Sequence, residues 1–253
     1  RAIEHGIEMM QQGAAFIDVG GESTRPGAAR VSREEELHRV VPVVKGLAAA
    51  GALVSVDTMW AETAAAALDA GAVMINDVSG GRADVEMLPL AAQSDCPFVV
   101  MHWRAHSETM QDHTEYDDVV ADVIFELGEQ IERALAAGVS QSNIVVDPGL
   151  GFSKTGEQNW ELLAALPRFE QLGYPLLVAA SRKTFLGTLL ARQEREVRSL
   201  REQMTALDQA NKERDRIIES LGADPGALIR ELAQAKEAQE KLALIEKENE
   251  RLR

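Results

Sequence analysis

The polar residues of this chain with chemistry to offer fall in six short clusters. They are Asp18 followed by GGESTRPG at 20–27, Asp57-Thr58, Asn76-Asp77, His102, Asp147-Pro148-Gly149, and Ser181-Arg182-Lys183. Carboxylates accept hydrogen bonds, an amide both donates and accepts, and a lysine donates while carrying charge. Such a set suits a small polar molecule whose edge presents donors and acceptors together. Taken singly, an Asp or Asn in such a place is often only a helix cap or a turn former. Six clusters, each directly after an apolar run, are hard to explain as turn chemistry alone.

The elements that must position them are legible as those runs: AAFIDV at 14–19, LVSV at 53–56, VMI at 73–75, FVVM at 98–101, IVV at 144–146 and LLV at 176–178. Their short, near-continuous apolar character predicts six strands buried on both faces. Helix-like segments lie between them at 33–50, 60–70, 116–137 and 159–172. Strands alternating with helices indicate parallel pairing, in a β/α barrel or an open doubly wound sheet. In a barrel the C-terminal strand ends share one rim, where active sites form.

In order, the motifs are IDVGGESTRPG at 17–27, SVDT at 55–58, IND at 75–77, MHW at 101–103, DPGLGF at 147–152 and ASRK at 180–183. Over residues 1–191 the chain resembles the dihydropteroate synthases, and GGESTRPG is the specific element. The resemblance implies a TIM (β/α)8-type barrel, here incomplete with about six strands. It also implies condensation of 6-hydroxymethyl-7,8-dihydropterin pyrophosphate with p-aminobenzoate, through loss of pyrophosphate before the amine attacks. Asp57, Asn76, Met101, Asp147 and Lys183 would hold the pterin; Thr24, Arg25, Pro26, Phe152, Ser181 and Arg182 would serve p-aminobenzoate and pyrophosphate. Lys183 and Thr24 would be the catalytic groups. Magnesium is implied as cofactor, but the first strand with its Asn ligand and the last strand with its Arg and His have no counterpart here. A pterin-dependent methyltransferase, and an inactive barrel with a scaffold role, are the alternative functions.

From Arg192 onward the texture changes. Aromatic residues vanish, and 13 basic groups stand against 14 acidic ones. Val197, Leu200, Met204, Leu207, Asn211, Arg214, Ile218 and Leu221 alternate spacings of three and four, the pattern of a coiled-coil seam. After a break at 222–226 the spacing returns at Leu242, Ile245, Asn249 and Leu252. A helical coiled-coil segment over 192–253 is therefore expected, as a homodimer or as a hairpin within one chain.

The net charge of −15 argues against nucleic-acid or anionic-membrane partners, which need a basic surface. No apolar run reaches the roughly 18 residues of a membrane span. RAIEHGIEMM at 1–10 lacks the order of a secretion signal. The single cysteine, Cys96, reads as a buried small hydrophobe and fits a reducing cytoplasm. His102, His106 and His113 lack a zinc-ligand spacing and read as loop histidines. Ser153-Lys154-Thr155-Gly156 fails the phosphate-loop pattern because no glycine precedes the lysine.

Overall fold

β-Branched and aromatic residues alternate with helix-forming stretches, and the chain folds accordingly. The computed structural model describes residues 1–25, 30–106, 109–181, 183–223 and 225–251. They divide into two compact units, Arg1–Gly187 and Thr188–Arg253.

The first unit runs α1 (Ala2–Gln11), β1 (Phe16–Gly20), α2 (Arg33–Ala49), β2 (Leu53–Asp57), α3 (Ala61–Asp69), β3 (Met74–Asp77), α4 (Met87–Ser94) and β4 (Phe98–Met101). It continues through α5 (Val119–Ala136), β5 (Ile144–Asp147), α6 (Gly156–Ala164) and α7 (Leu166–Glu170). The five strands form one parallel sheet in the order β1-β2-β3-β4-β5. Gly20 pairs with Asp57, Asp57 with Asn76, and Met101 with Asp147, so the C-terminal ends lie level and form a rim.

Local signals fix the helix starts. The Ser32 hydroxyl accepts from the Glu35 amide ahead of α2, and Asp118 accepts from the Val120 and Ala121 amides ahead of α5. Thr155 and Gln158 form a capping box on α6. The strand faces carry Val54, Val56, Ile75, Phe98, Val100, Ile144 and Val146, which pack with Val40, Val44, Leu47, Val123 and Leu127 of the helices in one buried core. Each such large apolar side chain contributes about 1.5–3 kcal/mol by leaving water. Cys96 is buried in this core, as its neighbours suggested.

Two expectations change. The sixth strand, 176–178, is reduced to a single parallel bridge between Leu176 and Val146. Its backbone still follows β5, since Val146 N–H donates to Pro175 O and Leu177 N–H to Val146 O, both at 2.9 Å. Val178 is exposed, so the ladder extends no further. The helical stretch at 159–172 is two helices, because Pro167 falls in the first turn of α7 and lacks the N–H that a continuous helix requires there. Among the described residues β1 pairs only with β2, leaving its other edge open, with Phe16 exposed.

From Thr188 onward, in the second unit, the chain is helical through the remainder of α8 (Thr184–Ala223) and through α9 (Pro225–Arg251). Val197, Leu200, Met204, Leu207, Ile218 and Leu242 are exposed, so the seam spacing is present on helices without a buried interface. The side chains of Leu221, Ile245 and Asn249, and Leu252 altogether, lie outside the described residues. No helix among the described residues is long and apolar enough to cross a membrane.

Candidate active site

The rim gathers its polar groups from neighbouring strands. Asn76, next to last in β3, pairs with Asp57, and its amide donates to both Asp18 oxygens at 3.3 and 3.2 Å. Ser55 also donates to Asp18. Asp18, four residues before Glu22 and the first of the polar clusters of the sequence, is thus bonded into the same polar group. Burial raises the Asp57 carboxyl well above the usual range, and the nearby carboxylates of Asp18, Asp77 and Glu36 push the same way; Lys183 opposes them.

Across the rim, Asp147 is buried and its Oδ1 accepts from the Gly149 amide at 2.7 Å. Burial lifts this carboxyl to about 6, against the pull of that N–H and of Lys183. Burial lowers the Lys183 ammonium, while Asp147 and Asp57 hold it up. Lys183 thus lies within electrostatic reach of both carboxylates, and its side chain runs beside Gly151 in the loop that follows Asp147. Its Nζ also sits 4.3 Å from the centre of the Phe152 ring, a cation–π contact. Met101 and Phe152 share a small apolar cluster with Met59, Val78, Trp103 and Met110 at the top of the sheet.

Asp77 stands apart in role. It is fully buried, accepts from the Ser79 and Gly81 amides at 2.8 Å each, and is raised to about 6 by burial. It shapes the turn after β3.

Behind the rim lies a network that the sequence did not disclose. His102 is fully buried, which corrects its reading as a loop histidine. Its Nε2 meets Glu126 Oε2 at 2.9 Å and its Nδ1 meets Lys154 Nζ at 2.9 Å. Arg104 Nε donates to both Glu126 oxygens at 3.1 Å, and its guanidinium lies 3.7 Å above the Tyr116 ring. Burial alone would raise Glu126, but hydrogen bonds from His102 and Arg104 outweigh it and hold the carboxyl at about 2. Burial and the Lys154 charge lower His102 to about 3, so its ring is neutral. Glu126 is 24 residues from His102; only the fold makes them neighbours.

The remaining expected residues are less engaged. Thr24 is half-buried, and Arg25 and Ser181 are exposed. The contacts of their loop run to α2 and its approach: Arg39 Nη1 donates to Gly21 O at 3.0 Å and Arg30 Nε to Glu22 at 3.0 Å. Pro26 and Arg182 lie outside the described residues.

The sequence and the parallel β/α fold that carries this rim are similar to those of known proteins. The pterin-binding enzyme family matches residues 1–213. The dihydropteroate synthase of Mycobacterium leprae is 54% identical over 198 residues, covering 78% of this chain and 70% of that protein. The Xanthomonas albilineans dihydropteroate synthase solved with 4-aminobenzoic acid is 44% identical with a TM-score of 0.71, covering 75% of this chain and 67% of that one. The same enzyme in complex with 7,8-dihydropteroate aligns at 40% identity and a TM-score of 0.67, covering 75% of this chain and 67% of that one. The chain belongs to the pterin-binding enzyme family and, within it, to the dihydropteroate synthases, transferases of folate biosynthesis.

Proposed function

We propose that this rim binds a dihydropterin and p-aminobenzoate, and that the chain forms 7,8-dihydropteroate from 6-hydroxymethyl-7,8-dihydropterin pyrophosphate. The C–O bond to pyrophosphate breaks, the aminobenzoate nitrogen bonds to the freed methylene carbon, and one amine proton is released. The observation that carries this reading is that strand register sets Asn76 beside Asp57 and Asp147 beside Met101 at one rim, with Lys183 packed on Gly151 and Phe152 of the loop after Asp147.

The carboxylates of Asp57 and Asp147 accept from the ring N–H and amino groups, Asn76 supplies both a donor and an acceptor, and Lys183 faces the pterin carbonyl and ring nitrogen. Met101 lines the pterin's apolar face. As pyrophosphate leaves, positive charge develops on the pterin, and carboxylates already fixed around it stabilise that charge without reorganising. Phe152 and Ser181 lie toward p-aminobenzoate. Thr24, Arg25, Pro26 and Arg182 serve the departing anion, Thr24 as a hydroxyl donor.

Among the described residues no group of three His, Cys, Asp or Glu side chains is placed to hold a metal ion, so magnesium, usually bound by one or two protein groups together with substrate phosphates, would come in with the pyrophosphate. No step is routed through it.

Dihydropteroate formation by the purified chain tests the proposal. Product is expected, together with a pterin-dependent rise in melting temperature; absence of both removes the reading.

The exposed seam of α8 favours a second role beside the first, in which two copies pair through Val197, Leu200, Met204 and Leu207. Sedimentation is expected to show a homodimer that Leu200→Asp with Leu207→Asp reduces to monomer; an unchanged mass excludes this pairing.

A further inference from the structure

Lys154 takes no part in the proposed contacts with either substrate, yet it is among the most enclosed cations of the first unit, with 3% of its surface exposed. Its Nζ has three partners: His102 Nδ1 at 2.9 Å, Gly149 O at 3.0 Å and Phe152 O at 2.9 Å. An ammonium has three N–H donors, and here three acceptors receive them. This match assigns the histidine tautomer: Nδ1 accepts from the lysine, so the proton is on Nε2 and is donated to Glu126. A neutral amine would leave one acceptor unserved.

The three acceptors share one purpose. They lie at the end of β4 and at two points of the loop that follows β5. That loop needs the clamp because its backbone is unusual: Gly149, Gly151 and Ser153 have φ of 70°, 77° and 49°. Gly149 has no room for a side chain, since a Cβ would stand 2.3 Å from His102 O. Ser153 is not a glycine, is fully buried, and its hydroxyl has no hydrogen-bond partner among the described residues. Such conformations persist only when surrounding contacts over-determine them. Lys154 pins the loop on one side, and Tyr116 Oη, donating to Ser153 O at 2.9 Å, pins it on the other. Between these anchors the loop presents the Phe152 ring to the Lys183 ammonium.

We propose that Lys154 is a positioning residue: by gripping the Gly149 and Phe152 carbonyls from behind, it sets the Phe152 ring, and with it the p-aminobenzoate side of the site. This rests on the reading of the rim given above. Substrate never meets Lys154; its influence passes through Phe152.

The test has two arms. In the first, steady-state kinetics of Lys154→Met should show KM for p-aminobenzoate raised about ten-fold while kcat and the dissociation constant of the pterin change less than about three-fold, an increase equivalent to about 1.4 kcal/mol. In a Phe152→Leu background the same Lys154→Met change should move KM less than about two-fold, because its route of action has been removed. An unabated ten-fold effect in that background, or an equal loss of pterin binding, overturns the proposal.

The second arm does not require turnover, so it separates failure of this inference from failure of the dihydropteroate reading. The chain has six phenylalanines, giving six ¹⁹F resonances after 4-fluorophenylalanine labelling; that of residue 152 is identified by its absence in Phe152→Leu. A single narrow line in the parent should broaden or split in Lys154→Met, and an unchanged line overturns the proposal. Should Lys154→Met not fold, Lys154→Gln keeps part of the hydrogen bonding to these acceptors and is expected to give the same change at smaller amplitude.

Discussion

Between Asp147 and Lys154 most residues join an enclosed hydrogen-bond network, whereas between Gly21 and Arg30 the described contacts include the partly buried pair of Arg30 with Glu22 and a bond from the exposed Arg39 to Gly21 O. Both segments leave the same rim and both carry residues assigned to the second substrate. The loop after β5 is held by a buried lysine, a half-buried tyrosine and the Asp147 carboxylate. The loop after β1 is held by Arg30 and Arg39, and by Arg30 and Arg33 stacked 4.8 and 3.9 Å over Trp60. One side of the mouth is set before substrate arrives; the other is held by contacts that cost little to exchange. A buried group left without its partner costs about 1–3 kcal/mol, and a surface ion pair contributes about 0–1.

The sharpest way to break this contrast is at Asp147. Asp147→Asn removes a charged acceptor from the pterin, and calorimetry should show affinity lower by about 10–100-fold, as loss of a charge-assisted bond of about 1.5–3 kcal/mol requires. An unaltered affinity would mean that the pterin does not meet this carboxylate.

Behind the same loop, Glu126→Ala strands the Arg104 guanidinium and the His102 Nε2–H. A loss of about 1–3 kcal/mol is expected in denaturant unfolding, with Tm lower by several degrees.

The Asp147 titration gives a third expectation. Its carboxyl moves from the ordinary 3.8 to about 6 on folding, so the folded state holds the proton more tightly than the unfolded state. Stability from this group is present below pH 4 and is lost as pH rises through about 6. Asp147→Asn never ionises, so its Tm relative to the parent should climb between pH 4 and 6 and then level. A difference that stays flat across this window would show that burial does not raise this group.

The smallest effect belongs to the other loop. Arg39→Ala removes the bond to Gly21 O and the exposed pair with Glu35, and should change stability by less than about 0.5 kcal/mol. A larger loss would mean that the two loops are held more alike than their contacts suggest.

What could be read in advance divides along similar lines. Five strands and the rim positions of Asp57, Asn76 and Asp147 were legible because an apolar run followed by a turn residue is a local signal. The run at 176–178 carried that signal too, but a full strand needs a ladder along its length, and the described bonds reach β5 only at its start. The coiled-coil spacing was legible on α8, while its burial depends on a second surface. The Glu126–His102–Lys154 chain was not legible at all. A histidine after a strand, a glutamate within a helix and a lysine in a failed phosphate-loop pattern have no spacing in common, and only the β4–β5 pairing brings them together. Asp18 lies between: its place after a run was visible, but its bonds with Asn76 and Ser55 depend on strand register.

The unpaired side of β1 carries a consequence for the medium around the site. Phe16 and Asp18 are exposed along this strand, although burial still raises the Asp18 carboxyl, so solvent stands nearer to it than to Lys154 without fully surrounding it. Mobile ions enter with the water, and at physiological salt they damp charge interactions beyond about 8 Å. Ionic strength therefore acts on the longer-range field that enters along the β1 edge, and leaves the short contacts of Asp18 and the enclosed Lys154 with its three acceptors almost untouched.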